Sequence, residues 1–271
     1  MKFFEFEISL AISAAINAAE KIMQIYNSAD YEIRQKDDQT PVTEADLVSD
    51  EIIREVLSKT GIPVVSEEGI SELGHTHPNG LYWLVDPLDG TKEFIRKNGE
   101  FCINIALLEH QIPISGIIAI PAKRILYAVS EKGRVYKAIF PNGFIDHMNT
   151  NELKRPDLNP AQKDKVVLMS RSHFQTSKPD PVLHTLKKRF TLHFAQVGSA
   201  IKYTYLIEGK GDIYYRNGHT MEWDTAAGDA LLRALGGGVF DLKTNEKLQY
   251  GKDGFLNSDF IASLMPIDQL L

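Results

Sequence analysis

The segment with the most evident chemical content is Val85-Asp86-Pro87-Leu88-Asp89-Gly90-Thr91. Two carboxylates leave the end of an apolar run, separated by a rigid proline and one apolar residue. Side chains three apart on a plain strand point to opposite faces. Pro87 and Gly90 must therefore bend the chain if Asp86 and Asp89 are to converge. Converging carboxylate oxygens suit a hard cation such as Mg²⁺, and Gly90 and Thr91 could present backbone N–H groups to a phosphate. Asp, Pro and Gly are also ordinary turn residues, so an exposed acidic turn is the plain alternative.

Other acidic positions weigh against that alternative. Ser66-Glu67-Glu68 follows the short apolar run Ile62-Pro63-Val64-Val65, where a solvated turn would be the simplest reading. Met221-Glu222-Trp223-Asp224-Thr225-Ala226-Ala227 opens a helical pattern, where Asp224 could merely cap, an effect worth about 1 kcal/mol. Thr43-Glu44-Ala45-Asp46 resembles a capping box with Asp in place of Glu. Each has an ordinary structural reading by itself, and their agreement carries the argument.

These groups need a scaffold, and the sequence predicts one. A helix is expected over 11–26 and a second from Thr43, with Ile52, Ile53, Val56 and Leu57 on its inner face and Gly61 ending it. Strands are expected over 62–65 and 82–85, then over 104–109, 112–120, 125–130 and 134–138 as an antiparallel meander. Residues 149–164 are polar and contain prolines, and are expected to link an N-terminal lobe, 1–150, to a C-terminal lobe, 151–271. The second half alternates strand and helix: 166–169, 182–188, 192–196, 199–208, 212–215 and 225–235. Strands first and alternation later indicate an α+β or layered α/β protein.

Bulk properties narrow the function. The 271 residues are 43% hydrophobic and 24% charged, ordinary values for a globular chain. Net charge is −6 with no basic run, which argues against a polymeric nucleic acid as partner. Cys102 is the single cysteine, so no internal disulfide exists and a reducing, cytoplasmic setting is expected. It lies in the apolar run Phe101-Cys102-Ile103-Asn104-Ile105 and reads as packing. Residues 1–19 read as an amphipathic helix, neither a signal peptide nor a membrane span. No transmembrane segment is expected, while peripheral association with the inner membrane is left open. His75 and His77 read as surface residues of a polar loop.

Taken together, Thr40 to Asp46, Ser66 to Glu68, Trp83 to Thr91 and Glu222 to Ala227 resemble the successive signatures of the inositol monophosphatase superfamily, in the family's order. The continuation Lys92-Glu93-Phe94 is similar to its 3′(2′),5′-bisphosphate nucleotidase branch. So are Asn98 to Phe101, Ser170 to His173 and Thr220 to Gly228. Gly198-Ser199-Ala200-Ile201-Lys202 resembles that branch's Gly-Ser-Ser-(apolar)-Lys, with Ala200 replacing the second serine, and Glu222 stands where some relatives carry another residue.

The resemblance implies an αβαβα sandwich of the inositol monophosphatase and fructose-1,6-bisphosphatase type. It implies that Glu67, Asp86, Asp89, Asp224 and the carbonyl of Leu88 bind two or three Mg²⁺ ions. Asp46 and Thr91 would orient the attacking water, Glu67 would ligate metal near it, and Gly90 and Thr91 would hold the phosphoryl group. Ser199 and Lys202 match positions lining a nucleotide pocket, with Arg171, Ser172, His173, Arg216 and Asp224 as further substrate contacts. The implied reaction converts 3′-phosphoadenosine 5′-phosphate to AMP and phosphate, in support of sulfate assimilation, with Li⁺ as inhibitor. Inositol 1-phosphate and, more distantly, fructose 1,6-bisphosphate are alternative substrates, and a non-catalytic metal- or nucleotide-binding sensor is the alternative of another class.

Overall fold

A computed structural model describes residues 4–28, 32–35, 41–69, 80–140, 149–159, 161–171 and 180–271. Thr40, His75, His77, Ser172 and His173, all singled out from the sequence, lie outside the described residues.

Alanine is the strongest helix former, and the first helix, α1 (Glu5–Asn27), uses it as a packing surface. Ala11, Ala14, Ala15, Ala18 and Ala19 are fully buried along one stripe, which lets the helix lie close to its neighbours. A short antiparallel pair, β1 (Ile33–Gln35) and β2 (Pro41–Thr43), leads into α2 (Glu44–Ser58). Thr43 and Asp46 form a reciprocal capping box at its start, as the sequence predicts.

A seven-stranded sheet follows in spatial order β3 (Val64–Ser66), β4 (Leu81–Asp89), β5 (Cys102–Glu109), β6 (Ile112–Ile120), β7 (Ile125–Val129), β8 (Val135–Ile139) and β9 (Asn149–Leu153). The five-residue helix α3 (Thr91–Ile95) leaves the end of β4. Only the β3–β4 pair is parallel; every later neighbour is antiparallel, giving the expected meander. The segment expected to link the two halves therefore begins as β9, whose pairing with β8 closes the sheet at one edge. Of the described residues, 154–159 and 161–163 carry no helix or strand.

Alternation along β4 assigns each side chain to a layer. Trp83 and Val85 pack with α1 and α2, whereas Tyr82 and Leu84 face the opposite core. That second core is shared. It takes in α5 (Ile201–Ile207), α6 (Ala226–Ala234) and one face of a five-stranded sheet of spatial order β11 (Thr191–Gln196), β10 (Asp164–Met169), β12 (Ile213–Arg216), β14 (Phe260–Ser263), β13 (Gly238–Asp241). The far face of this sheet, through Val167, Ile213 and Ile261, is covered by α4 (Pro181–Arg189) and α7 (Ile267–Leu270). The layers run α1/α2, sheet, α5/α6, sheet, α4/α7, which is the αβαβα sandwich.

β13 and β14 form an antiparallel hairpin after the triple glycine 236–238 and were not among the expected elements. Their hydrophobic runs are only four residues long, too short for periodicity to separate strand from helix.

The middle layer reaches its sheet only because Gly116 lies under α6. A Cβ at Gly116 would stand 2.3 Å from the Ala227 carbonyl oxygen and 2.8 Å from Ala230 Cβ. Backbone cannot yield as a flexible side chain can. Gly116→Ala is expected to lower stability by roughly 1–3 kcal/mol through overpacking, read as a reduced chemical-denaturation midpoint with unchanged slope. A midpoint equal to wild type would contradict this close approach.

Candidate active site

The carboxylates come together through a defect in β4. Asp86 pairs with Asn104 of β5 and Asp89 pairs with Cys102, so three steps on one strand oppose two on the other. This one-residue bulge cancels the odd spacing of the two acids and returns both to the same side. The Leu88 N–H donates to Asp86 Oδ1 at 3.0 Å and fixes the bulge from within. Ser49 of α2 braces it from below, donating its hydroxyl to the Pro87 carbonyl at 2.8 Å.

Glu67 leaves β3 beside this point, since Ser66 pairs with Val85 in the parallel register. The Ser66 hydroxyl is in turn held by Asp50 of α2. Asp46 enters from the first turn of α2. Its Oδ2 accepts from the Thr43 N–H at 2.8 Å and the Thr43 hydroxyl at 2.6 Å, while its Oδ1 accepts from the Thr91 hydroxyl at 2.9 Å. Asp224 arrives from the other half of the chain, at the end of a tight turn (Glu222–Asp224) before α6, and its Oδ2 accepts from the Met221 N–H at 2.8 Å.

Electrostatics report that these groups are near one another. Burial, then the charges of Glu67, Asp89, Asp224 and Asp46, hold the Asp86 carboxyl well above the usual range. Burial, then Asp89 and Glu67, do the same for Asp224. Asp89 is pushed up to about 6, mainly by burial; Lys202 and the hydrogen bonds from Ala200 and Asn104 oppose the rise. Asp46 is raised by burial against the pull of its three hydrogen bonds.

A cleft of about 310 Å³ opens from the carboxylates, sharing Asp89 and Asp224 with them. Gly90, Ser199 and Lys202 all line it, as expected, and so do Arg171 and Arg216. Gly90 has φ +96°, and a Cβ there would meet the Glu100 carbonyl oxygen at 3.0 Å, so the turn after Asp89 requires glycine. Ser199 also adopts a left-handed φ, +47°, in the turn that crosses from β11 to α5. That turn aims the Ala200 N–H at Asp89 Oδ2, 2.5 Å away. Alanine in place of a second serine is therefore compatible with the contact, because the backbone makes it.

The Lys202 ammonium is buried and donates to the carbonyls of Val197 and Ser199, and burial lowers its pKa to about 8. Arg171 forms a two-pronged ion pair with Glu100, at 2.9 Å from Nε and 2.7 Å from Nη2. Arg216 donates to the Ser170 hydroxyl at 2.8 Å and to the His219 carbonyl at 2.6 Å.

Residues 5–266 match the inositol monophosphatase family along their whole length. The chain belongs to the inositol monophosphatase family. It is 37% identical over 259 residues to the 3′(2′),5′-bisphosphate nucleotidase CysQ of Buchnera aphidicola, covering 93% of this chain and 91% of that protein. It is 34% identical over 253 residues to the protein of the same name from Escherichia coli K12, covering 92% and 96% respectively. The crystal structure of CysQ from Bacteroides thetaiotaomicron superposes with a TM-score of 0.81 at 35% identity, over 97% of this chain and 99% of that one. The relatives are thus phosphatases by name, and the fold is theirs throughout.

Within the family framework, several residues around the acids escaped the sequence reading. Asn104, placed in an apolar packing run, is buried and donates to Asp89 Oδ2 at 3.3 Å. A lone polar residue within a buried strand was the available signal. Glu100 accepts from the Gly198 N–H at 2.9 Å and from Arg171, joining three loops at the cleft. Cys102 is fully buried, as expected of packing, with its Sγ 3.9 Å from Asp89. Burial and the Asp89 charge push its thiol well above the ordinary value, the opposite of what a nucleophile requires. Glu222, one of the departures noted in the sequence, is buried and caps the 251–252 turn, accepting from the Gly251 and Lys252 N–H groups at 2.8 and 2.9 Å.

Among the described residues, no three His, Cys, Asp or Glu side chains already stand at positions that would grip an ion. Their oxygens hold N–H and O–H donors instead. The donor chemistry nonetheless suits a hard divalent cation: several carboxylates, buried, mutually repelling and lacking a matching set of ammonium or guanidinium partners.

The sign of the resulting pH dependence is definite. Asp89 has a folded pKa of about 6 against an ordinary 3.8, so the folded state binds more protons between those values. Its contribution is fully favourable below about 3.8 and is lost as pH rises to about 6. Without divalent ions, the melting temperature is expected to fall across this window, and Asp89→Asn should flatten that fall and melt higher near neutral pH. Thermal denaturation in chelator-treated buffer checks it; an Asn variant less stable than wild type near pH 7 would contradict the repulsion.

Proposed function

We propose that the chain is a Mg²⁺-dependent 3′(2′),5′-bisphosphate nucleotidase, acting on 3′-phosphoadenosine 5′-phosphate to release phosphate and leave AMP. The observation that carries this reading is the sharing of Asp89 and Asp224 between a buried acidic cluster and a cation-lined cleft. One side is suited to metal ions and the other to an anionic substrate. The names of the relatives, at 34–37% identity over more than nine-tenths of the chain, support the same substrate.

Glu67, Asp86, Asp89, Asp224 and the Leu88 carbonyl would hold two or three ions. Bound there, divalent ions lower the pKa of water and offset charge on the entering and leaving oxygens. The remaining work falls to side chains on the page. Thr91 gives its hydroxyl hydrogen to Asp46, which leaves the Thr91 oxygen as an acceptor toward the cleft. A water donating one hydrogen to Thr91 would have a lone pair directed outward for attack on phosphorus. Asp46 is anchored by Thr43 through both backbone and hydroxyl, so the pair is fixed in advance. Backbone N–H groups at Gly90 and Thr91 would steady the phosphoryl oxygens. The P–O bond to water forms as the bond to the ribose oxygen breaks, with water supplying the proton that the leaving alkoxide takes up.

On the substrate side, Ser199 would donate to the nucleotide, with Arg216 behind it. Lys202 would set the shape and charge of the 197–200 turn. Arg171, Ser172 and His173 belong to the segment beside the cleft mouth, where the base would lie. A place in sulfate assimilation, inhibition by Li⁺ and a cytoplasmic location follow from the same reading. None of the described helices is long and apolar enough to cross a membrane.

The reading is tested by phosphate release from 3′-phosphoadenosine 5′-phosphate and inositol 1-phosphate side by side, with Mg²⁺ and then with Li⁺ added. Turnover strongly favouring the nucleotide, and suppressed by Li⁺, is expected. Asp89→Asn should reduce kcat on the nucleotide by several orders of magnitude, on the scale of losing a principal electrostatic catalytic group, about 10²–10³-fold or more. Preference for the inositol ester would overturn the substrate, and silence on both would favour a binding role.

A further inference from the structure

Five cationic side chains line the cleft beside Asp89 and Asp224: Lys92, Arg96, Arg171, Lys202 and Arg216. Three are already engaged. Both prongs of Arg171 are taken by Glu100. Arg216 is spent on Ser170 and His219. The Lys202 ammonium is enclosed by two backbone carbonyls and lies 4.9 Å over the Tyr214 ring. Turning it toward a ligand would leave those buried carbonyls without a donor, a loss comparable to what the new contact would gain.

Lys92 and Arg96 differ. They are exposed, and among the described residues neither side chain holds a hydrogen bond or an ion pair. They stand four residues apart on α3 and its C-terminal cap, where Arg96 keeps helical angles (φ −74°, ψ −3°), so both project from one face. The helix starts immediately after Asp89-Gly90, so the pair is tied by a few bonds of rigid backbone to the acidic cluster. A carboxylate, Glu93, lines the same wall, and two cations are needed to leave a net positive field there. The types are complementary: lysine supplies a mobile point charge and arginine a planar fork matched to phosphate oxygens.

We propose that Lys92 and Arg96 form the second-anion subsite of this cleft, receiving the phosphate that is not cleaved from a bisphosphorylated small molecule. The inference deepens the nucleotidase reading and rests on it, placing the second-phosphate contact on the α3 rim instead of on Lys202. Because the subsite is exposed, its grip weakens with salt, as interactions between exposed charges do.

The test compares wild type with the double variant Lys92→Gln/Arg96→Gln on 3′-phosphoadenosine 5′-phosphate and adenosine 3′-monophosphate. The ratio of kcat/KM for bisphosphate over monophosphate is expected to fall about tenfold or more, as for loss of charge-assisted phosphate contacts. The loss should lie in KM for the bisphosphate, and the salt dependence of that KM should flatten. Lys92→Arg on the Arg96 background should retain the wild-type ratio. A double variant that keeps both ratio and salt slope overturns the subsite, as does Lys202→Met lowering the ratio while the double variant does not. Wild-type enzyme that hydrolyses the monophosphate but shows no preference for the bisphosphate overturns the nucleotidase reading and the subsite together, so the two failures are distinguishable.

Discussion

Everything around the site answers to one constraint: several carboxylates are buried within reach of one another with little positive charge to offset them. Such an arrangement opposes folding, because burial and like charge both disfavour ionisation. The chain tolerates it by giving individual acids donors of their own. Asp86 takes the Leu88 N–H, Asp46 takes Thr43 and Thr91, Asp89 takes Ala200 and Asn104, and Asp224 takes Met221. These bonds are weaker than full charge neutralisation, and the raised pKa values of Asp86, Asp89 and Asp224 measure the deficit. A site so built has a strong reason to take up a small, hard, multiply charged cation.

The same constraint explains why the fold joins its halves where it does. Asp89 belongs to the seven-stranded sheet, yet its nearest donor is the backbone of Ala200, at the start of the middle helical layer. Asp224 begins the other helix of that layer. Glu100 closes the third side by binding Gly198 and Arg171, both from the second half of the chain. α5 and α6 are packed between the two sheets in one shared core, so the site cannot be assembled without that packing. A cleft formed at such a junction has acids on the sheet side and cations on its outer wall.

Much of this was legible in the sequence, for reasons that can be named. The bulge in β4 could be anticipated because Asp86 and Asp89 are three apart and flank a proline, and only an irregular strand would serve both. The capping box of α2 was legible because its partners are three residues apart and local. The layered order followed from resemblance, since periodicity alone could not separate the four-residue strands β13 and β14 from other short apolar runs. What stayed hidden was set by tertiary contact. Nothing local to Asn104 says that its amide meets Asp89, fifteen residues away on the paired strand. Arg171 looked available to a substrate because its partner, Glu100, is distant in sequence. Lys202 has the residue type of a ligand contact, but its burial and its two carbonyl partners are properties of the folded turn. Ser172 and His173 lie outside the described residues, and their roles rest on resemblance.

The central claim is that the acidic cluster is a divalent-cation site whose members must give up protons to be occupied. Calorimetric titration of Mg²⁺ into chelator-treated protein at pH 6, in two buffers of different ionisation enthalpy, tests it most directly. Saturable binding is expected, with an apparent enthalpy that differs between the buffers because carboxylates with raised pKa values release protons as the metal enters. No saturable heat in either buffer, or binding that survives Asp86→Asn and Asp89→Asn together, would contradict the account.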